Sequence, residues 1–181
     1  MEENLTAINP EDAKGKEKEL FDLIKNKMGL VPNILKTMAN APNVLEAYLG
    51  FSAQLQKAYL HPTQTELIAL YVASLNQCDY CISAHSYVGS LLNVSSEDLS
   101  KARAGKASDP QMQAILSFVE AVIIKRGKVD GDDVNSLKTA GFTEAQIVEI
   151  SAVIGINMFT NYFNFIAKLE NDFPLIEKNE W

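Results

Sequence analysis

The chain has 181 residues, 47% hydrophobic and 22% charged, with nine glycines and six prolines. That is enough apolar sequence to close the core of one domain, 1–181, and it excludes collagen-like, low-complexity and disordered chains. Sixteen basic against 23 acidic side chains leave a net charge of −7, which repels phosphate backbones and anionic headgroups and sets nucleic acid and membrane surfaces aside as partners.

Helix signals recur along the whole chain and no segment alternates as a strand, so the expected fold is all-α, a single-domain helical bundle. Met1-Glu2-Glu3-Asn4-Leu5 has no basic segment leading into an apolar run, and the expected compartment is the reducing cytoplasm. Asn9-Pro10-Glu11-Asp12 combines an N-cap, a proline and an acidic first turn, which predicts a helix from there to Gly29. A short helix follows near 33–39. Pro42 opens another that ends near Tyr59, with Val44, Leu45, Tyr48, Leu49, Phe51, Ser52 and Leu55 facing inward. His61-Pro62 reads as a loop.

Thr63-x-x-Glu66 has capping-box spacing and precedes 67–75, a segment apolar on nearly every face and so a buried central helix. Asn76 and Gln77 interrupt it, and the next helix runs from about Asp79 to Leu92. Ser95 caps a short amphipathic helix, Asp109-Pro110 starts one that closes at Gly127, and Asp130 starts another that ends at Gly141. Thr143-x-x-Gln146 launches the longest helix, to about Asn171. Its apolar stretch, 150–159, falls short of the roughly 20 residues of a membrane span. Asn157, Asn161 and Asn164 form a polar stripe on it, read as interhelical hydrogen bonding, with pocket lining as the alternative.

The two cysteines lie three apart, Cys78-Asp79-Tyr80-Cys81, and His85 follows. On a helix these three fall within a sector of about 60°, with Cys78 beside the helix N-terminus, where free N–H groups favour a thiolate. In one unbroken helix Glu66 would lie about 18 Å from Cys78. If the chain reverses near 75–76, Glu66 and His85 both sit roughly 14 Å below the turn, level with one another. The carboxylate then fixes the imidazole's tautomer, and the imidazole accepts a thiol proton. An unperturbed thiol of pKa about 8.5 is only about 3% ionised at pH 7, which is why a base beside it matters. A thiolate attacked by peroxide becomes a sulfenic acid, and a second thiol one turn away captures it as a disulfide before it over-oxidises.

Glu66, the twelve-residue step to Cys78, the C-x-x-C and the four-residue step from Cys81 to His85 resemble the core of the alkylhydroperoxidase D-like enzymes, within the carboxymuconolactone decarboxylase superfamily. The resemblance is close over about 60–90, within a redox core of about 60–92. Val31-Pro32-Asn33 upstream and the long apolar helix downstream are similar to the peroxidase-related branch. The resemblance implies helical subunits assembled as dimers, trimers or hexamers, and an antioxidant thiol peroxidase or disulfide reductase with a redox-active disulfide and no other cofactor. It implies that Cys81 attacks the hydroperoxide, that Cys78 donates a proton and closes the disulfide, and that Glu66 and His85 form the proton relay. A small thiol or a dithiol protein would return the electrons. Where the best-known members carry a further histidine this chain has Tyr80, so a phenol or water takes that place, or turnover is weaker.

Two competing readings stand beside this one. Cys78, Cys81, His85 and Glu66 supply four ligands for zinc, although such sites usually gather a second Cys/His pair. Alternatively the cysteines are ordinary core residues of a non-catalytic helical oligomer, a scaffold or binding protein. Oligomerisation is further suggested by the apolar tail, Phe173-Pro174-Leu175-Ile176 and Trp181, expected to pack on a neighbouring subunit.

Overall fold

The computed structural model describes residues 3–175, which form nine helices and no strand. In order they are α1 (Gly15–Met28), α2 (Asn33–Met38), α3 (Pro42–Leu55), α4 (Pro62–Leu75), α5 (Asp79–Leu91), α6 (Ser96–Arg103), α7 (Pro110–Ile124), α8 (Gly131–Thr139) and α9 (Glu144–Ala167). The all-α expectation holds.

α4 is the axis of the bundle. Six consecutive residues, Ile68 to Ala73, are buried, because α5, α6, α7 and α9 pack around it on every side. An apolar helix with no polar face has no other stable position in a water-soluble fold. The main core joins α4 to Cys78, Cys81 and Ile82 of α5, Ile115 and Val119 of α7 and Ile150 and Val153 of α9. A smaller core gathers Phe21 and Ile24 of α1, Leu35 and Met38 of α2 and Leu45 of α3. Ile34 packs against both.

The α4–α5 reversal is built by three residues with different backbone conformations. Asn76 is still helical, Gln77 is left-handed at φ 57°, and Cys78 is extended as the N-cap of α5. The Cys78 N–H donates to Ala73 O at 2.9 Å, tying the new helix to the end of the old one.

Several helix boundaries differ from the sequence reading. Asn9 caps a local turn rather than a helix: its side chain accepts from the Glu11 N–H at 3.1 Å and its carbonyl from Asp12 N–H at 3.0 Å. α1 starts only at Gly15. α4 is capped by His61, not Thr63, since Pro62 occupies the first helical turn and holds the residue before it extended. Gln64 completes that capping box, so Glu66 has no capping duty. α3 stops at Leu55, and Glu149 of α9 accepts the N–H groups of Tyr59 and Leu60. On α3 only Leu45 is buried; Val44 and Phe51, expected inside, are exposed, because the helix packs on α1, α2 and α9 and leaves one side open.

α9 ends at Ala167, four residues before the expected position, where Lys168 turns left-handed at φ 53° and its N–H donates to Asn164 O. At 24 residues it is long and apolar enough to cross a membrane, contrary to the expectation from the shorter stretch 150–159. Its Ile150, Val153, Ile154, Asn157, Asn161 and Asn164 are buried inside the protein, which is the use a core helix makes of such a composition.

Candidate active site

Cys78 and Cys81 form a disulfide, the sulfurs at the start of α5. The N-cap position of Cys78 puts its sulfur in line with the opening turn, and the Cys81 N–H donates to it at 3.4 Å. Both residues are buried, Cys78 fully and Cys81 to 3% exposure. They are not equivalent, because Cys81 borders a cavity of about 300 Å³ that Cys78 does not line.

That cavity lies between the two cores. Ile24 and Met28 of α1, Ile34 and Leu35 of α2, Tyr48 and Leu49 of α3, and Ala84 and Val88 of α5 give it a mainly apolar wall. Glu66, Cys81 and His85 all face it. The α4–α5 hairpin brings His85 Nδ1 within 2.8 Å of Glu66 Oε2, with the two side chains 23% and 21% exposed. With Nδ1 as the donor to the carboxylate, Nε2 keeps its lone pair, the state a general base needs. The sequence-based juxtaposition of Glu66 and His85 is therefore present; of the three residues expected on one helix face, Cys81 and His85 border the same cavity, whereas Cys78, as the N-cap, does not line it.

Tyr80 also borders the cavity, but its hydroxyl is engaged elsewhere. It donates to Asp172 Oδ1 at 2.7 Å and accepts from the Ile34 N–H at 3.4 Å. Burial, then the hydrogen bond to the Asp172 carboxylate, hold the phenol far above its ordinary pKa, so its proton stays on oxygen. Tyr48, on the opposite wall, is also raised, to about 12, by burial and by the nearby Glu66 charge.

After α9 the chain runs back over α2 and α5 as a strap. Asp172 Oδ2 accepts the Asn33 N–H at 2.7 Å, Asn33 Nδ2 donates to Glu170 O, and Asn171 Nδ2 donates to Ser83 Oγ at 3.0 Å. Phe173 meets Tyr80 edge-on with ring centroids 5.5 Å apart, and packs near Tyr87 at 6.1 Å. Phe173 thus closes one wall of its own chain's cavity, while Leu175, expected with it on a neighbouring subunit, is exposed. Ile176 and Trp181, part of the same expectation, lie outside the described residues.

Three contributors escaped the sequence reading. Asp172 and Phe173 carry no periodic signal, and Tyr48 was taken only as an inward-facing helix position. Asn164 was seen as one of a stripe, but its partner was not: Nδ2 lies 3.4 Å from Cys78 Sγ. Asn161 does bond between helices, to Asn76 at 3.0 Å, while Asn157 donates to Val153 O in its own helix. As for a metal, no group of three or more His, Cys, Asp or Glu among the described residues is placed to hold an ion. Cys78, Cys81, His85 and Glu66 are thus not gathered as a ligand set.

Residues 42–123 match the carboxymuconolactone decarboxylase family, a span from the start of α3 nearly to the end of α7 that includes every helix carrying Glu66, Cys78, Cys81 and His85. No protein of curated function matches the chain in sequence. Among solved structures it is similar to an uncharacterised peroxidase-related protein from Ralstonia eutropha JMP134, described as an alkylhydroperoxidase AhpD core, at 20% identity and a TM-score of 0.85 over 94% of this chain and 92% of that one. A peroxidase-related protein from Silicibacter sp. TM1040 is 23% identical, with a TM-score of 0.83 over 93% and 91%. The debrominase Bmp8, in complex with 2,3,4-tribromopyrrole, is 22% identical, with a TM-score of 0.80 over 93% and 91%. The helices that build the site are thus the ones similar to the carboxymuconolactone decarboxylase family, and the chain as a whole shares its fold with structures described as an alkylhydroperoxidase AhpD core and as peroxidase-related.

Proposed function

We propose that the protein is a thiol-dependent antioxidant oxidoreductase that cycles Cys78 and Cys81 between dithiol and disulfide while reducing a hydroperoxide or the disulfide of a partner. The observation that carries this reading is the pairing of Cys81 with the Glu66–His85 couple around one largely apolar cavity. In the reduced protein His85 takes the Cys81 thiol proton, with Glu66 stabilising the imidazolium. The Cys81 thiolate attacks the distal peroxide oxygen, the O–O bond breaks, and the leaving alkoxide takes the proton back from His85. Cys81 is now a sulfenic acid. Cys78, as a thiolate, attacks its sulfur, the S–O bond breaks, and hydroxide leaves as water once protonated. Two electrons from a small thiol or a dithiol protein reopen the disulfide, which suits a reducing compartment such as the cytoplasm.

Self-association belongs to the same proposal. Val44, Phe51, Phe159, Tyr162 and Ile166 are large apolar side chains left exposed on α3 and α9, and a second copy of the chain is the partner we assign to that face.

Rapid mixing of fully reduced protein with an organic hydroperoxide tests the chemistry. Wild type should consume it faster than Cys81→Ser by orders of magnitude, and equal rates would overturn the peroxidase arm. Reduction of a model disulfide by the dithiol form tests the other arm in the same way. A protein inert in both assays is the non-catalytic scaffold.

A further inference from the structure

We propose that Asn164 is a catalytic residue of the thiol–disulfide cycle, its side-chain amide stabilising Cys78 as a thiolate when the disulfide opens. The proposal rests on the redox cycle described above and goes beyond it, by naming the group that makes a fully buried sulfur able to leave and attack.

Cys78 is 0% exposed, and burial in apolar surroundings raises a thiol's pKa, because the charged form loses its hydration. A buried thiolate therefore needs donors from the protein. Two are in place: the Cys81 N–H and Asn164 Nδ2, each 3.4 Å from Cys78 Sγ. The first comes with any cysteine at a helix N-cap. The second requires a specific side chain on α9, 86 positions away in sequence.

The cost of keeping Asn164 there is visible. The residue is 8% exposed, and its Oδ1 is buried with no hydrogen-bond partner. An apolar side chain of similar volume would remove that penalty if packing were the only requirement. Its neighbour Asn161 likewise leaves one amide atom, Nδ2, buried without a partner, but its Oδ1 accepts from Asn76 at the hairpin turn, whereas the one bond of the Asn164 amide is to sulfur.

The electron flow places the charge where the amide sits. A reductant thiolate entering the cavity attacks Cys81 Sγ, the sulfur that borders it. A new S–S bond forms to the reductant, the Cys78–Cys81 bond breaks, and its electron pair goes to Cys78 Sγ. A second reductant thiolate then attacks the reductant sulfur of the mixed disulfide and releases Cys81, so that two reductant thiols become one disulfide. In the oxidising direction the same N–H···S⁻ contact enlarges the thiolate fraction of Cys78 that resolves the sulfenic acid.

The test is the equilibrium of the disulfide with a dithiol redox buffer, read by thiol tagging at a pH above the thiol pKa, in wild type and in Asn164→Leu. The amide favours the reduced state, so its removal should make the disulfide about tenfold harder to reduce, a potential about 30 mV more negative. In the Cys81→Ser background the Cys78 pKa, followed by thiolate absorbance, should rise in Asn164→Leu, and in Asn164→Asp, where a carboxylate faces the thiolate. A packing role alone moves neither quantity. Should both variants fail to fold, the Asn164 side-chain amide protons of the Cys81→Ser protein should shift through the Cys78 titration in an NMR spectrum. Variants that match wild type within twofold, or amide protons that ignore the titration, overturn the assignment of Asn164 alone. A wild-type disulfide that does not exchange with the buffer at all overturns the redox cycle and this proposal together.

Discussion

Glu66 and His85 stand nineteen residues apart in the chain and 2.8 Å apart in space, each one level with the other on opposite arms of the α4–α5 hairpin. The contact exists because Gln77 turns left-handed and reverses the chain in three residues. Holding an imidazole by a carboxylate determines which nitrogen carries the proton. On the proposed mechanism, Glu66→Gln and His85→Phe should each slow the reaction of reduced protein with hydroperoxide, by about 10²-fold for loss of a positioned acid–base group. Stopped-flow consumption of hydroperoxide checks this, with the double variant no slower than the worse single one, since the pair acts as a unit.

Alkaline pH should loosen the protein through its tyrosines. The phenols of Tyr80 and Tyr48 are both raised above the ordinary value of 10.0, so between the unfolded and folded pKa values the native state holds more protons than the unfolded chain. Stability contributed by these groups is complete below about pH 10 and falls as pH rises through the folded values. Urea midpoints measured across this range should decline, and decline less steeply in Tyr80→Phe, which has no phenol to ionise. An unchanged slope in that variant would show that the buried Tyr80 phenol contributes nothing to it.

Gly105 provides a stability prediction that separates backbone from packing. Its φ is +70°, and a Cβ there would run into the ring and hydroxyl of Tyr71, whereas Gly127, at φ +78°, has open space around it. Gly127→Ala should cost about 1–2 kcal/mol, the penalty of a left-handed L-residue. Gly105→Ala adds a collision with a buried ring and should cost more, as read from the shift in denaturant midpoint at constant slope.

The apolar face on α3 and α9 makes the association state measurable. Sedimentation at micromolar concentration should give an oligomer for wild type, and Phe51→Asp, a charge placed at an exposed position on α3, should shift it toward monomer. A monomeric wild type would leave that face without the partner we assign to it.

The legibility of the fold in the sequence follows physical lines. α4 was readable because nine consecutive residues, 67–75, offer no polar face, and a helix of that kind has one place to go. The Glu66–His85 contact was readable because helix rise alone puts equal distances from a turn at equal depth. The start of α4 was misjudged because Thr63 and Glu66 have the spacing of a capping box while Pro62 decides where the helix begins. The strap was invisible for a different reason. Asp172 finds Tyr80 and the Asn33 N–H across 92 and 139 positions of sequence, and no local pattern encodes a contact between this segment and the first turns of α5 and α2. Asn164 lay between these cases: its polarity on an apolar helix was conspicuous, but its target depended on how α9 crosses α5.

The unequal placement of the two sulfurs has a kinetic consequence. Cys81 borders the cavity and Cys78 does not, so on the proposed cycle the oxidant and the reductant must visit the same sulfur through the same opening, one after the other. The rate law that follows is double displacement: parallel lines in reciprocal plots, and each substrate inhibiting at high concentration by occupying the enzyme form meant for the other.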